Sequence, residues 1–93
     1  MEFAEIEWDE NKRLSNIEKH GLDFSDAIDV VDGLCLWRSA RTVAGEPRLM
    51  AIGMLDDVCV CVIGTLRGSV LRVISMRKAR HEERQHYQEI FGG

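Results

Sequence analysis

Four short apolar runs, joined by links too short for a parallel return, constrain the fold of this chain more than any other feature. Leu34 to Ser39, Arg48 to Leu55, Val58 to Leu66 and Val70 to Met76 are β-branched or apolar segments bounded by turn residues. Asp56-Asp57 joins the second to the third, and Arg67-Gly68-Ser69 joins the third to the fourth. Parallel neighbours need a crossover of about a dozen residues or more, so these links predict antiparallel hairpins. Arg41 to Pro47, with Gly45 and the single proline, reads as the loosest loop. Val58 to Leu66 is apolar on both parities, which calls for cover on both faces, from the chain's own helices or from a partner protein.

Helical patterns occupy the two ends. Asp9 is a good N-cap for a helix over Glu10 to His20, whose thin apolar stripe is Leu14, Ile17 and Gly21 or Leu22. Gly21 stops that helix after the basic pair Lys19 and His20. Asp23 caps a second helix with Phe24, Ala27, Ile28 and Val31 at helical spacing, broken by Asp32-Gly33. A third, Ala79 to Phe91, aligns Ala79, Glu83, Tyr87 and Ile90 or Phe91. Phe3 to Trp8 alternates apolar and acidic residues, as a short half-exposed edge strand does. The fold class is therefore α+β: a small antiparallel sheet with two N-terminal helices and one C-terminal helix, forming one domain over residues 1–93.

Several function classes drop out at this stage. No apolar run is long enough to cross a bilayer and the N-terminus lacks an export pattern, so a cytoplasmic protein is expected. Cys59 and Cys61, at i and i+2 on one strand face, stand too far apart for a disulfide, and no Cys/His grouping suggests zinc. Asp23, Asp26, Asp29 and Asp32 recur every third residue, a period that drifts round a helix, so solvation explains them better than a metal site. No cofactor is expected.

The net charge of −4 conceals a division. Residues 1–33 hold 10 acidic and 3 basic side chains, residues 34–93 hold 6 acidic and 9 basic. Arg67, Arg72, Arg77, Lys78, Arg80 and Arg84 crowd one stretch against only Glu82 and Glu83. A cationic patch on an acidic protein points to a specific anionic partner. Glu83 lies on the inward face of the last helix and needs a cation, with Arg77 and Arg72 nearest in sequence. In a regular strand those two arginines have opposite parity, so both reach Glu83 only if the chain turns near Met76.

This inventory suits metal-free cleavage of RNA by the neighbouring 2′-hydroxyl, which needs a base, an acid and fixed positive charge on the phosphate. Glu83 is the candidate base or a positioning group, and Arg72, Arg77 and Arg84 are candidate phosphate ligands. His81 is a candidate acid, ahead of His86 and Tyr87. Bland readings stand beside these: a structural Arg-Glu ion pair, a core tyrosine with a satisfied hydroxyl, and a His20 that merely suits a helix C-terminus.

EWDENKRLSNIEKHGLDFSDA, RLMAIGMLDD and RVISMRKARHEERQHY together resemble the BrnT family of bacterial type II toxins. The resemblance rests on the WDxxK, KHG-x-x-F, AIG and IS-x-R-x-A-x-x-x-ER-x-x-Y patterns and spans almost the whole chain. It implies a fold similar to RelE toxins and a metal-independent ribonuclease that arrests growth. It also implies neutralisation by a BrnA antitoxin with a ribbon-helix-helix domain, in a complex that represses its own operon, dimeric association within that complex being possible. Carried over by motif position, the implicated residues are Arg67, Arg72, Arg77, Glu83 and Arg84, with Tyr87 in the same signature. With the patch residues included, Arg72, Arg77, Glu83 and Arg84 form the expected catalytic set, and Arg67, Lys78, Arg80, His81 and Tyr87 the expected RNA contacts. Two departures carry expectations of their own. Arg80 replaces a common Ser or Thr and cannot cap, which frees Glu83 or moves the helix start. Met76 replaces a small residue and is expected to crowd the site. A catalytically weak module that docks a partner protein through the same patch is the alternative.

Overall fold

The computed structural model describes residues 2–92; Met1 and Gly93, the ends of the expected domain, lie outside them. Five strands form one sheet in the order β1-β5-β4-β3-β2: β1 Glu5–Trp8, β2 Cys35–Val43, β3 Glu46–Leu55, β4 Val58–Arg67 and β5 Val70–Lys78. The three hairpins β2-β3, β3-β4 and β4-β5 are antiparallel, as the short links require. The expected all-antiparallel sheet is corrected at one edge, where β1 pairs in parallel with β5. The short-link rule applies only to neighbours in sequence, whereas β1 and β5 are separated by most of the chain.

The loop expected over Arg41 to Pro47 is also corrected. β2 runs on to Val43 and β3 begins at Glu46, leaving a two-residue turn at Ala44 and Gly45 with φ of 52° and 76°. Positive φ at both positions is the I′ geometry that matches strand twist. Pro47 is tolerated in an interior strand because the β2-β3 register shifts between Ala40 and Val43, where no ladder bond requires its missing N–H.

Helix α1, Glu10–His20, is capped by the Asp9 carboxylate, which accepts from Lys12 N at 3.1 Å, and closed by Gly21 at φ 69°. A single 3-10 turn, Phe24–Asp26, leads into α2, Ala27–Val31. Both lie on one face of the sheet, where Phe24, Ala27 and Val30 meet Val60, Val62, Leu71, Val73 and Met76 in the main core. Helix α3, His81–Phe91, packs on the opposite face against β2 and β3, over Met50, Ile52 and Cys61. The strand that was apolar on both faces thus takes its cover from within the chain.

The expected stripe of α1 is corrected: Leu14 and Ile17 are 53% and 36% exposed, and the buried residue is Asn16. β1 pairs only with Val70 to Val73, so the β5 edge beyond them is open. Asn16 closes it as a surrogate strand, its Nδ2 donating to Met76 O at 2.9 Å and its Oδ1 accepting from Met76 N at 3.2 Å. A third bond, from Nδ2 to Leu22 O at 3.0 Å, ties the following loop to the same amide. Such a buried polar side chain is tolerated because every group finds a partner. Among the described residues no helix is long and apolar enough to cross a membrane.

Candidate functional site

A bulge in β5 decides the site. Ile63 pairs with Ser75 but Gly64 pairs with Val73, so β5 carries one extra residue at Ile74. Gly64 permits this, since a Cβ there would lie 2.6 Å from the Arg72 carbonyl oxygen. The extra residue inverts the alternation, so Leu71, Val73 and Met76 all enter the main core. Arg72 and Arg77 therefore share the opposite face, despite their contrary parity in sequence. Arg67 joins them from β4, and Arg38 and Arg48 from β2 and β3, by strict alternation with the residues that pack under α3. α3 covers β2 and β3 on this face and reaches Cys61 of β4 and Arg77 of β5, whereas Arg67 and Arg72, at the other end, make no hydrogen bond or ion pair to it among the described residues.

At the rim of α3, Arg77 and Glu83 form a two-bond fork, with Nη1 to Oε1 at 2.7 Å and Nη2 to Oε2 at 2.8 Å. Glu83 Oε1 also accepts from Arg80 N at 2.7 Å and lies 3.4 Å from Cys61 Sγ. The side chain of Glu83 is 5% exposed and that of Arg77 21%, so the pair is sunk but its guanidinium reaches the surface. Bonding to Arg77 first, and to Arg80 N as well, outweighs burial and holds the Glu83 carboxyl down to about 2. Burial pushes the neighbouring Cys61 thiol up to about 12, which keeps it an inert thiol.

The expectations about this seam are corrected in detail. The helix starts at His81 rather than Ala79, and Glu83 supplies half of a capping box by accepting the Arg80 N–H, although the Arg80 side chain has no acceptor to offer in return. Glu83 is therefore saturated, not freed. Met76 is fully buried on the other face and does not crowd Arg77. Arg72 does not converge on Glu83: it pairs with Glu7 of β1, and with the bulge discounted it stands about 13 Å along the strand from Arg77.

The remaining expected residues scatter. Arg67 pairs with Glu46 at 3.0 Å at the far end of the face. Lys78 shares the alternation of Met76 and Val60, and so lies on the face away from Arg77. Tyr87 is 8% exposed and its hydroxyl donates to Leu34 O at 3.4 Å, which withdraws it from the RNA-facing set. Arg80, His81 and Arg84 are exposed around the first turn of α3, with Arg84 Nη1 donating to Ala79 O at 2.9 Å. Sequence reasoning missed Arg38, which ties β2 to α3 through Glu82 at 2.8 Å, and the carboxylates Glu7 and Glu46. It also passed over Arg48, although its parity with Met50 and Ile52 marked it as facing α3's side of the sheet.

An open sheet face studded with guanidinium groups, bordered by one sunk fork, is chemically a seat for a polyanion such as a nucleic acid strand. The comparisons agree on what kind of protein carries it here. The family described as "Ribonuclease toxin, BrnT, of type II toxin-antitoxin system" matches residues 8–83. The chain is similar to the Brucella abortus ribonuclease toxin BrnT, known from a 1.1 Å crystal structure, with 42% identity over 83% of this chain and 97% of that one and a TM-score of 0.64. No curated protein matches. The chain belongs to the BrnT family of type II toxin-antitoxin ribonuclease toxins. The family match ends at Glu83, so Arg84 and Tyr87 of the sequence signature fall outside it.

Proposed function

We propose that this chain is a metal-independent endoribonuclease that cleaves RNA through its 2′-hydroxyl, inhibits translation and arrests growth in the cytoplasm. In this reading a BrnA-type antitoxin neutralises it and the joint complex, with any dimer it contains, binds operator DNA; the RelE-like kinship of the fold belongs to the same reading. The observation that carries it is the Arg77–Glu83 fork at the edge of an arginine-lined sheet face that α3 covers only in part.

Positive charge on the scissile phosphate comes from Arg77, whose orientation is set by Glu83. A carboxyl held at about 2 is a poor proton acceptor near neutral pH, so Glu83 acts as a positioning residue rather than the base. His81, exposed two residues before Glu83 on the first turn of α3, is assigned the proton given to the leaving oxygen, while the proton of the attacking 2′-hydroxyl passes to bulk water. Arg84 and Arg80 flank it and hold neighbouring phosphates.

One feature favours the alternative, a protein-docking face with weak catalysis. Arg38, Arg67, Arg72 and Arg77 each already hold a carboxylate, and a phosphate must compete with it. An acidic antitoxin segment would face the same competition.

Incubating the purified, antitoxin-free protein with end-labelled RNA in EDTA, beside Arg77→Ala and Glu83→Ala, separates the two. Cleavage by the parent, leaving 2′,3′-cyclic phosphate ends and lost in both variants, is the expected result. Full cleavage by a folded Arg77→Ala protein would overturn the assignment.

A further inference from the structure

The arginine face contains one residue, Arg48 of β3, that no partner in the fold explains. Arg48 pairs with Ala40 across the β2-β3 ladder, and one step beyond the Leu49–Gly64 pair it stands opposite Thr65 on β4. Thr65 pairs with Arg72 on β5, and Arg72 with Glu7 on β1. A row therefore crosses the sheet as Arg48, Thr65, Arg72 and Glu7, with the two arginines two strand spacings apart, about 10 Å between backbones.

Four observations set this row apart from a decorated surface. Thr65 is 1% exposed and its hydroxyl is spent on Pro47 O at 2.8 Å, so it forms a sealed floor between the two arginines. Arg72 has Glu7 and the nearby Arg67 has Glu46, but Arg48 has no carboxylate partner among the described residues. Its Nε is buried and makes no hydrogen bond among the described residues. A buried guanidinium donor left unpaired is expensive, and it calls for a ligand, an ion or a water to complete it. The carboxyl of Glu46 is held below its usual range, by its bond to Arg67 first and by Arg48 and Arg72 through space, which places all three cations around one spot.

We propose that Arg48 and Arg72 form a second anion subsite, which holds a backbone phosphate of the RNA strand about 13 Å along the face from Arg77. This rests on the ribonuclease reading and deepens it: the enzyme grips its substrate at two points, the fork at α3 and the arginine row near β1. Arg48 supplies the guanidinium with no internal carboxylate to displace. A phosphate bound there orients the strand so that the bond to be cut lies beside the fork, and cleavage depends on substrate length.

The test uses a labelled single strand of ten 2′-deoxynucleotides, which lacks the nucleophile and cannot be cut by this route. Its binding is measured over a salt series with the parent protein, Arg48→Met and Arg48→Lys. R48M is expected to weaken binding about tenfold and to reduce the slope of log affinity against log salt by about 0.7, the value for one lost phosphate contact on a single strand. R48K keeps the charge and is expected to recover the slope; a folded R48K that does not recover it makes the loss one of packing and overturns the proposal. On cleavable RNA the R48M effect is expected in KM more than in kcat. Parent-like binding and slope in R48M, with cleavage by the parent intact, would remove the subsite and leave the ribonuclease reading standing. Arg48-dependent binding by a parent that cuts no RNA would do the reverse.

Discussion

Replacing Glu83 with Gln tests the seam on which the site depends. The carboxyl falls from an ordinary 4.5 to about 2 in the folded protein, and 1.36 kcal/mol per unit makes the charged form worth about 3 kcal/mol. The side chain is 5% exposed, so solvent screening leaves most of that value in place. Because the folded value is the lower one, this stabilisation is complete above 4.5 and is lost as pH falls from there through 2. Gln keeps the shape but not the charge, and leaves the Arg77 guanidinium sunk beside a neutral amide. Urea unfolding followed by the fluorescence of Trp8 and Trp37 should show Glu83→Gln about 3 kcal/mol less stable than the parent at neutral pH. Near pH 3 the gap should narrow to roughly 1.5 kcal/mol, as the parent carboxylate loses its advantage. A gap that stays constant between the two pH values would refute the electrostatic account and leave only a packing defect.

Asn16→Leu should destabilise the domain by about 2–4 kcal/mol, because the Met76 N–H and C=O lose their only edge partner, whereas Leu14→Ala on the exposed side of the same helix should change stability by less than about 1 kcal/mol. Denaturation midpoints of the two variants decide it. Gly64→Ala should cost about 2 kcal/mol or more by the same denaturation measurement, since its new Cβ would strike the Arg72 carbonyl, and hydrogen exchange should show the bulge relaxing through lost amide protection at Val73 to Ser75.

Most elements were legible because they are local. Asp9 and Gly21 mark the two ends of α1 through capping and left-handed geometry, and each does in the fold what its residue type predicts. The links at Asp56-Asp57 and Gly68-Ser69 set two of the three antiparallel hairpins from chain length alone. Misreadings came where a non-local partner overrode a local rule. Arg41 to Pro47 looked like a loop because proline usually leaves a strand, and only the register shift opposite it makes Pro47 acceptable. Leu14 and Ile17 looked like a core stripe, yet α1 docks through an amide that satisfies the open edge of β5. The candidate site was half legible: the Arg77–Glu83 pair follows from an inward carboxylate beside a basic stretch, but Arg48, Glu7 and Glu46 lie tens of residues from their counterparts.

The sequence by itself determined which residues could form strands and helices, where α1 began and ended, and that the cations gather in its second half, since propensity, capping and turn chemistry act over a few residues. The tertiary structure alone decided which face each arginine serves. One extra residue at Ile74, allowed by the missing side chain of Gly64, inverts the alternation of β5 and brings Arg72 and Arg77 to the same side. A period-2 pattern carries no mark of where a bulge falls, because the bulge is set by how two strands meet and not by either strand alone.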